Sequence, residues 1–224
     1  MLLVIPSVLG PSQLERVRGL LAQGKFVDGR LSAGARARPV KQNRELDARD
    51  ACVEQLNGIV MHALVQHPLY QAAAMPLRVA TPFYARYTPG MRYGDHVDDP
   101  VMGPPGGQYR TDVSTTVFLN DPQDYEGGEL VIRTGFGEQK LRGEAGSAVL
   151  YPSSSLHRVA EVTRGERLVA VTWTQSMVRD PARREILYQL YLTRESLQKS
   201  MPESEDVTRL DHAYVNLTRL WATL

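Results

Sequence analysis

The stretch Tyr84-Ala-Arg-Tyr87-Thr-Pro-Gly90-Met-Arg-Tyr93-Gly-Asp-His96-Val97-Asp98 decides how the rest of the chain is read. It ends in an imidazole and a carboxylate two residues apart. In extended backbone, residues i and i+2 point to the same face. His96 and Asp98 can therefore aim a nitrogen and an oxygen at one point. A third ligand would complete a facial triad of two histidines and one carboxylate. That donor set suits non-haem Fe(II) and leaves coordination positions open. His157, near the start of a later extended segment, is the candidate third ligand.

Around this stretch the texture is β. Strands are expected near 77–87, 112–119, 129–133, 138–142, 146–151, 157–162 and 167–175. Asn120-Asp-Pro, Glu126-Gly-Gly and Arg164-Gly supply the turns. Many short strands with Gly- and Pro-rich turns argue for a sandwich or barrel. Residues 99–110 are too rich in Pro and Gly for a strand or helix interior. They read as a loop set to contact a substrate. If the strands starting at His157 and Arg167 pair as a hairpin, both side chains face the same interior. Gly127 and Gly128 read as turn residues that tolerate positive φ.

Helices flank this region. Pro11 can open one, with Leu14, Val17, Leu20 and Leu21 at helical spacing and Gly24 at its end. Residues 48–66 repeat the pattern through Val53, Leu56, Ile59, Val60 and Leu64, and a short helix follows through Tyr70 to Ala74. Pro181 can open another, to about Leu197. A last helix carries Val207, Leu210, Tyr214, Leu217, Trp221 and Leu224 as an amphipathic stripe. It suits packing on the same chain and permits a homo-oligomer. His62, His67 and His212 read as surface or capping histidines. Residues 28–46 lack periodicity and read as a long loop, from which Lys41, Gln42 and Asn43 are candidates to reach over the site.

Composition excludes several function classes. With 26 basic and 25 acidic residues, charge gives no case for nucleic-acid or membrane binding. No apolar run approaches the roughly 20 residues of a membrane span, and the first residues lack the features of a signal peptide. Cys52 is the only cysteine, which rules out an intrachain disulfide and a cysteine-based zinc site. A cytoplasmic setting is expected.

The chemistry gives each candidate a task. Two imidazoles and a carboxylate would hold Fe(II). A 2-oxo acid could chelate through its keto oxygen and neighbouring carboxylate, with O2 in the last position. Arg167 would supply a buried cation whose fork matches the far carboxylate. A zinc hydrolase could use the same triad, and a jelly-roll iron sensor would need the triad without the arginine.

The full motif is Tyr87-x-x-Gly90-x-x-Tyr93-x-x-His96-x-Asp98, Glu126-Gly-Gly-Glu-Leu130, Gly146 to Pro152, His157 and Arg167. It resembles the prolyl-4-hydroxylase-like branch of the Fe(II)/2-oxoglutarate-dependent dioxygenases. More closely, over nearly the whole chain, it is similar to the PKHD-type hydroxylases, the PiuC/YbiX group associated with iron uptake. The resemblance implies a double-stranded β-helix, or jelly roll, over residues 1–178 with N-terminal helices. Residues 179–224 would form a C-terminal helical extension. It implies His96, Asp98 and His157 as iron ligands, Arg167 as the anchor of the distal carboxylate, and Tyr87 in the cosubstrate pocket. It also implies hydroxylation of an unactivated C–H bond, with ascorbate keeping iron reduced. The substrate would be a peptidyl proline or a small molecule such as a siderophore. Where some relatives carry a tyrosine, this chain has Phe118, which cannot donate a hydrogen bond. Thr116 or Tyr84 would then take over the second contact to the cosubstrate.

Overall fold

The computed structural model describes all of residues 1–224. Two antiparallel sheets face each other. The larger runs, strand by strand, Leu3–Ile5, Ala148–Pro152, Val113–Phe118, Arg167–Ser176, Phe83–Tyr87, Arg44–Leu46 and Phe26–Asp28, with Pro76–Val79 on the far end of the central strand. The smaller runs Gly137–Leu141, Leu130–Thr134, His157–Val159, Arg92–His96 and Lys41–Gln42. This is the expected jelly roll, with helices covering the outer face of the larger sheet.

Period-2 alternation sorts the side chains of the large sheet into two cores. Outward residues such as Tyr84, Val117, Leu150 and Ala170 pack on helices α1 (Pro11–Gln23), α2 (Val53–Gln66) and α3 (Pro68–Ala74). Leu14, Val17, Leu21, Leu56, Val60 and Leu64 are the helical side of that core. Truncating one of these leucines to Ala should cost about 2–5 kcal/mol. Inward residues, among them Ala85, Tyr87, Phe118, Val149, Tyr151 and Val169, meet Leu130, Ile132 and Val159 of the smaller sheet.

Helix starts follow local chemistry. Pro11 occupies the first turn of α1, and Gln13 accepts from the Gly10 N–H. Asp180 caps helix α4 (Pro181–Ser200) by accepting from Ala182 and Arg183 N–H groups. Ser204 caps helix α5 (Glu205–Trp221). The apolar stripe of α5 folds back on its own chain: Tyr214, Leu217 and Trp221 pack against Met75, Val178 and Leu187. No helix is long and apolar enough to cross a membrane.

Three expectations are revised. The chain between residues 28 and 46 is not structureless. Two short helical turns lead to Lys41–Gln42 in the small sheet and Arg44–Leu46 in the large one. Residues 99–110 contain a minimal hairpin, Val101–Met102 against Tyr109–Arg110. The strands beginning at His157 and Arg167 do not pair. Val162–Gly165 pairs instead with Tyr125–Gly127, so His157 and Arg167 lie in opposite sheets and face each other across the interior.

Candidate active site

His96 closes the strand Arg92–His96, and His157 opens the neighbouring one directly opposite it. Asp98 follows two residues beyond His96. Nδ1 of His96 lies 2.8 Å from the Gly94 carbonyl oxygen, and Nδ1 of His157 lies 3.0 Å from that of Ser155. A carbonyl can only accept, so each Nδ1 is the donor to it and each Nε2 is the nitrogen turned toward Asp98. Both Nε2 atoms sit 3.8 Å from Asp98 Oδ1. The three ligand atoms fall within 4.8 Å of one another. Two imidazoles and a carboxylate converging on one point fit a ferrous ion with open positions.

The surroundings hold this geometry. The Ser114 hydroxyl donates to Asp98 Oδ2 and lies 2.8 Å from the Ser153 hydroxyl. The Tyr93 ring stacks on His96, with centroids 3.6 Å apart and planes 13° from parallel. Tyr151 meets His157 edge-on at 5.0 Å. Burial, and then the neighbouring His157, push the His96 imidazolium down to about 4. Burial also raises the Tyr151 phenol well above its ordinary range, with Asp98 adding to the effect. Both groups are therefore neutral at physiological pH.

One cavity of about 620 Å³ contains the trio. Its deep end is lined by Arg167, Tyr87, Thr116, Tyr151 and Asn43. Arg167 is 1% exposed, its Nε has no hydrogen-bond partner, and no carboxylate forms an ion pair with it. Its guanidinium carbon lies 5.1 Å from the Tyr87 ring centre and 5.9 Å from that of Phe118. A buried guanidinium lacking an anion is costly, and a dicarboxylate entering this cavity would supply one. Gly128 gives the arginine stem its space. Its φ is +66°, and a Cβ there would come within 3.1 Å of Arg167 Cδ.

Phe118 thus packs beside the arginine as an aromatic wall and offers it no hydrogen bond. Thr116 shares its inward face and lines the cavity. Tyr84 does not. It points outward by strand alternation, and its hydroxyl donates to Asn57 Oδ1. Contrary to the expectation, Tyr84 therefore makes no contact with the cosubstrate. Lys41 and Asn43 line the cavity, whereas the intervening Gln42 is exposed and faces away. The mouth is apolar: Phe83 meets Trp173 edge-on at 5.6 Å, and the hairpin contributes Val101, Met102 and Tyr109.

Ser114, Ser153 and Tyr93 were not singled out as site residues from sequence. Tyr93 stands within the quoted motif, three residues before His96, and could have been. Ser114 carries no local signal, since its partner Asp98 is reached only through the fold.

Comparison with known proteins gives a consistent family. Residues 82–175 match the 2OG-Fe(II) oxygenase superfamily. A PKHD-type hydroxylase of Thioalkalivibrio sulfidiphilus is 58% identical over 222 residues, covering 99% of each chain. The PKHD-type hydroxylase YbiX of Escherichia fergusonii is 44% identical over 221 residues, covering 98% of each. Among solved structures, a Pseudomonas putida prolyl-4-hydroxylase aligns with 78% of this chain and 92% of its own, at 20% identity and a TM-score of 0.52. HygX of Streptomyces hygroscopicus, bound to nickel, 2-oxoglutarate and hygromycin B, aligns with 78% of this chain and 82% of its own. Its identity is 17% and its TM-score 0.57. At such identities the structural likeness speaks for the fold.

Proposed function

The chain belongs to the PKHD-type hydroxylases of the 2OG-Fe(II) oxygenase superfamily, and from that premise we propose that it hydroxylates an unactivated C–H bond while 2-oxoglutarate is decarboxylated to succinate and CO2. Over the whole reaction, one oxygen atom of O2 enters the product and the other enters succinate. When bound, Fe(II) supplies the activation of O2 that no side chain can provide.

The residues have separate tasks. Nε2 of His96, Nε2 of His157 and the Asp98 carboxylate hold the metal. The Nδ1–H bonds to Gly94 and Ser155 fix the two rings, and Ser114 fixes the carboxylate. Arg167 pairs with the distal carboxylate of 2-oxoglutarate, with Tyr87 and Thr116 beside it. Phe83, Trp173 and the Val101–Arg110 hairpin exclude water and receive the substrate. Residues 1–178 carry the chemistry, and residues 179–224 buttress the end of the large sheet.

The observation that carries this reading is the unpaired Arg167 guanidinium in the same cavity as the histidine–carboxylate trio. A zinc hydrolase would give that arginine nothing to do. The cavity falls within the roughly 300–1,000 Å³ range of small-molecule sites, so beyond the cosubstrate it can admit a small molecule or one peptide side chain. A role in iron uptake, a siderophore-like substrate, a cytoplasmic setting and use of ascorbate as reductant fit the reading and extend it.

The test is anaerobic addition of Fe(II) and 2-oxoglutarate. A weak visible charge-transfer band should appear in the wild type and vanish in His96→Ala. A succinate readout across peptides and small molecules then identifies the substrate. Unchanged succinate production by a folded His96→Ala protein would overturn the assignment.

A further inference from the structure

The segment Lys41–Leu46 changes sheets at Asn43. Lys41–Gln42 pairs with the ligand strand Arg92–His96, and Arg44–Leu46 pairs with the strand that ends in Tyr87. Alternation turns Lys41, Asn43 and Glu45 inward, and all three line the cavity. Lys41 and Glu45 neutralise each other in a buried ion pair, which Ser32 completes by accepting from Nζ. Asn43 has no such partner. It is 4% exposed, and neither polar atom of its carboxamide forms a hydrogen bond within the protein. A buried amide left this way is unfavourable until a partner arrives.

Its position is specified from two sides. The Gly29 N–H donates to the Asn43 carbonyl oxygen, and a Cβ on Gly29 would collide with the Asn43 side chain. The chain therefore keeps a glycine-sized gap for this carboxamide. The antiparallel register Arg44–Arg86 brings Asn43 alongside Tyr87 at the end of the neighbouring strand, and both side chains line the same cavity. The Tyr87 ring in turn lies beside the Arg167 guanidinium. Asn43 lies outside residues 82–175, so the superfamily match does not include it.

We propose that Asn43 is a positioning residue for the cosubstrate: its Nδ2–H donates to the Tyr87 hydroxyl oxygen and turns the phenolic O–H toward the distal carboxylate beside Arg167. The idea rests on the 2-oxoglutarate reading above. It resolves how a second polar contact is made when position 118 is phenylalanine. It also makes the N-terminal segment part of the catalytic site.

The experiment is a double-mutant cycle on 2-oxoglutarate affinity, measured by calorimetry with the Mn(II)-loaded full-length protein, where no turnover occurs. Asn43→Ala and Tyr87→Phe should each weaken binding, on the order of tenfold. The double variant should be no weaker than Tyr87→Phe alone, because both changes remove the same interaction. Asn43→Asp keeps the shape but loses the donor, and should be at least as weak as Asn43→Ala. Mn(II) affinity should stay at the wild-type value in all variants. A purely structural role would instead give additive losses, and additive losses or unchanged affinity in folded Asn43→Ala and Asn43→Asp would overturn the proposal. Wild-type protein that fails to bind 2-oxoglutarate would bring down the cosubstrate reading and this inference with it. Normal wild-type binding with an indifferent Asn43 would remove the inference alone.

Discussion

His96 and His157 stand directly opposite each other on adjacent antiparallel strands, and each turns its Nδ1 onto the carbonyl of the residue two positions earlier. Cross-strand pairing sets the distance between the rings, and the two local carbonyls set the tautomers. The ligand geometry is thus built before any metal arrives. Asp98 lies outside the strand and depends on Ser114 for its orientation. Ser114→Ala should therefore lower Mn(II) or Fe(II) affinity by about 10–100-fold, whereas His157→Ala should abolish it. Calorimetric titration, with circular dichroism as the control for folding, checks both.

Arg167 has the opposite character. Its charge is buried without a counterion until the cosubstrate binds. Arg167→Leu should raise the 2-oxoglutarate KM by at least about tenfold, yet leave the ligand-free protein as stable as wild type or more so. 2-Oxoglutarate near the wild-type KM should raise the wild-type Tm through mass action and shift that of the variant much less. Thermal scans with and without 2-oxoglutarate decide this; an undiminished shift in Arg167→Leu would place the anchor elsewhere.

The Lys41–Glu45 pair is the reverse case, since its charges already match within the protein. Their side chains are only 8% and 9% exposed. Lys41→Met would strand a buried carboxylate and should cost about 3–5 kcal/mol. Adding Glu45→Leu should restore much of the loss. Urea midpoints of the single and double variants measure both effects.

Alkaline pH offers a test of the cores. Burial pushes the Tyr70 and Tyr87 phenols up to about 12. Tyr70 is also hydrogen-bonded to Thr174 at 2.6 Å. In the unfolded chain these groups titrate near 10. Below pH 10 both states are protonated and the stability is fully present. Between pH 10 and 12 the unfolded chain releases protons that the folded protein retains, so stability falls as pH rises. Urea unfolding at pH 9, 10 and 11 should show falling midpoints, and Tyr70→Phe should flatten the decline.

Much of this site was legible in the chain because its carriers are local. His96-Val97-Asp98 offers two ligands by spacing, and the later His157 and Arg167 make that pair specific; the odd separation of Tyr84 and Tyr87 on one strand is what sends them to opposite faces, against the expectation that both meet the cosubstrate. Other features depend on which sheet a strand joins. The turn at Arg164-Gly165 has hairpin chemistry, but that chemistry does not reveal that Val162–Gly165 pairs with Tyr125–Gly127. Lys41–Gln42 and Arg44–Leu46 are too short to show a period; the first is ordered only by the distant strand Arg92–His96, the second by Phe83–Tyr87 on one side and the three-residue strand Phe26–Asp28 on the other. Their composition reads as loop because strands of two or three residues are too short to carry a pattern.

The strand that carries Arg167 is the last strand in the chain and lies at the centre of the larger sheet. On one side of it wait Phe83–Tyr87, Arg44–Leu46 and Phe26–Asp28; on the other wait Val113–Phe118, Ala148–Pro152 and Leu3–Ile5. During synthesis these two groups have no bridge until residue 176 has left the ribosome. The two halves of the larger sheet thus share no strand until late in the chain, and the strand that joins them is the one that carries the arginine to its place.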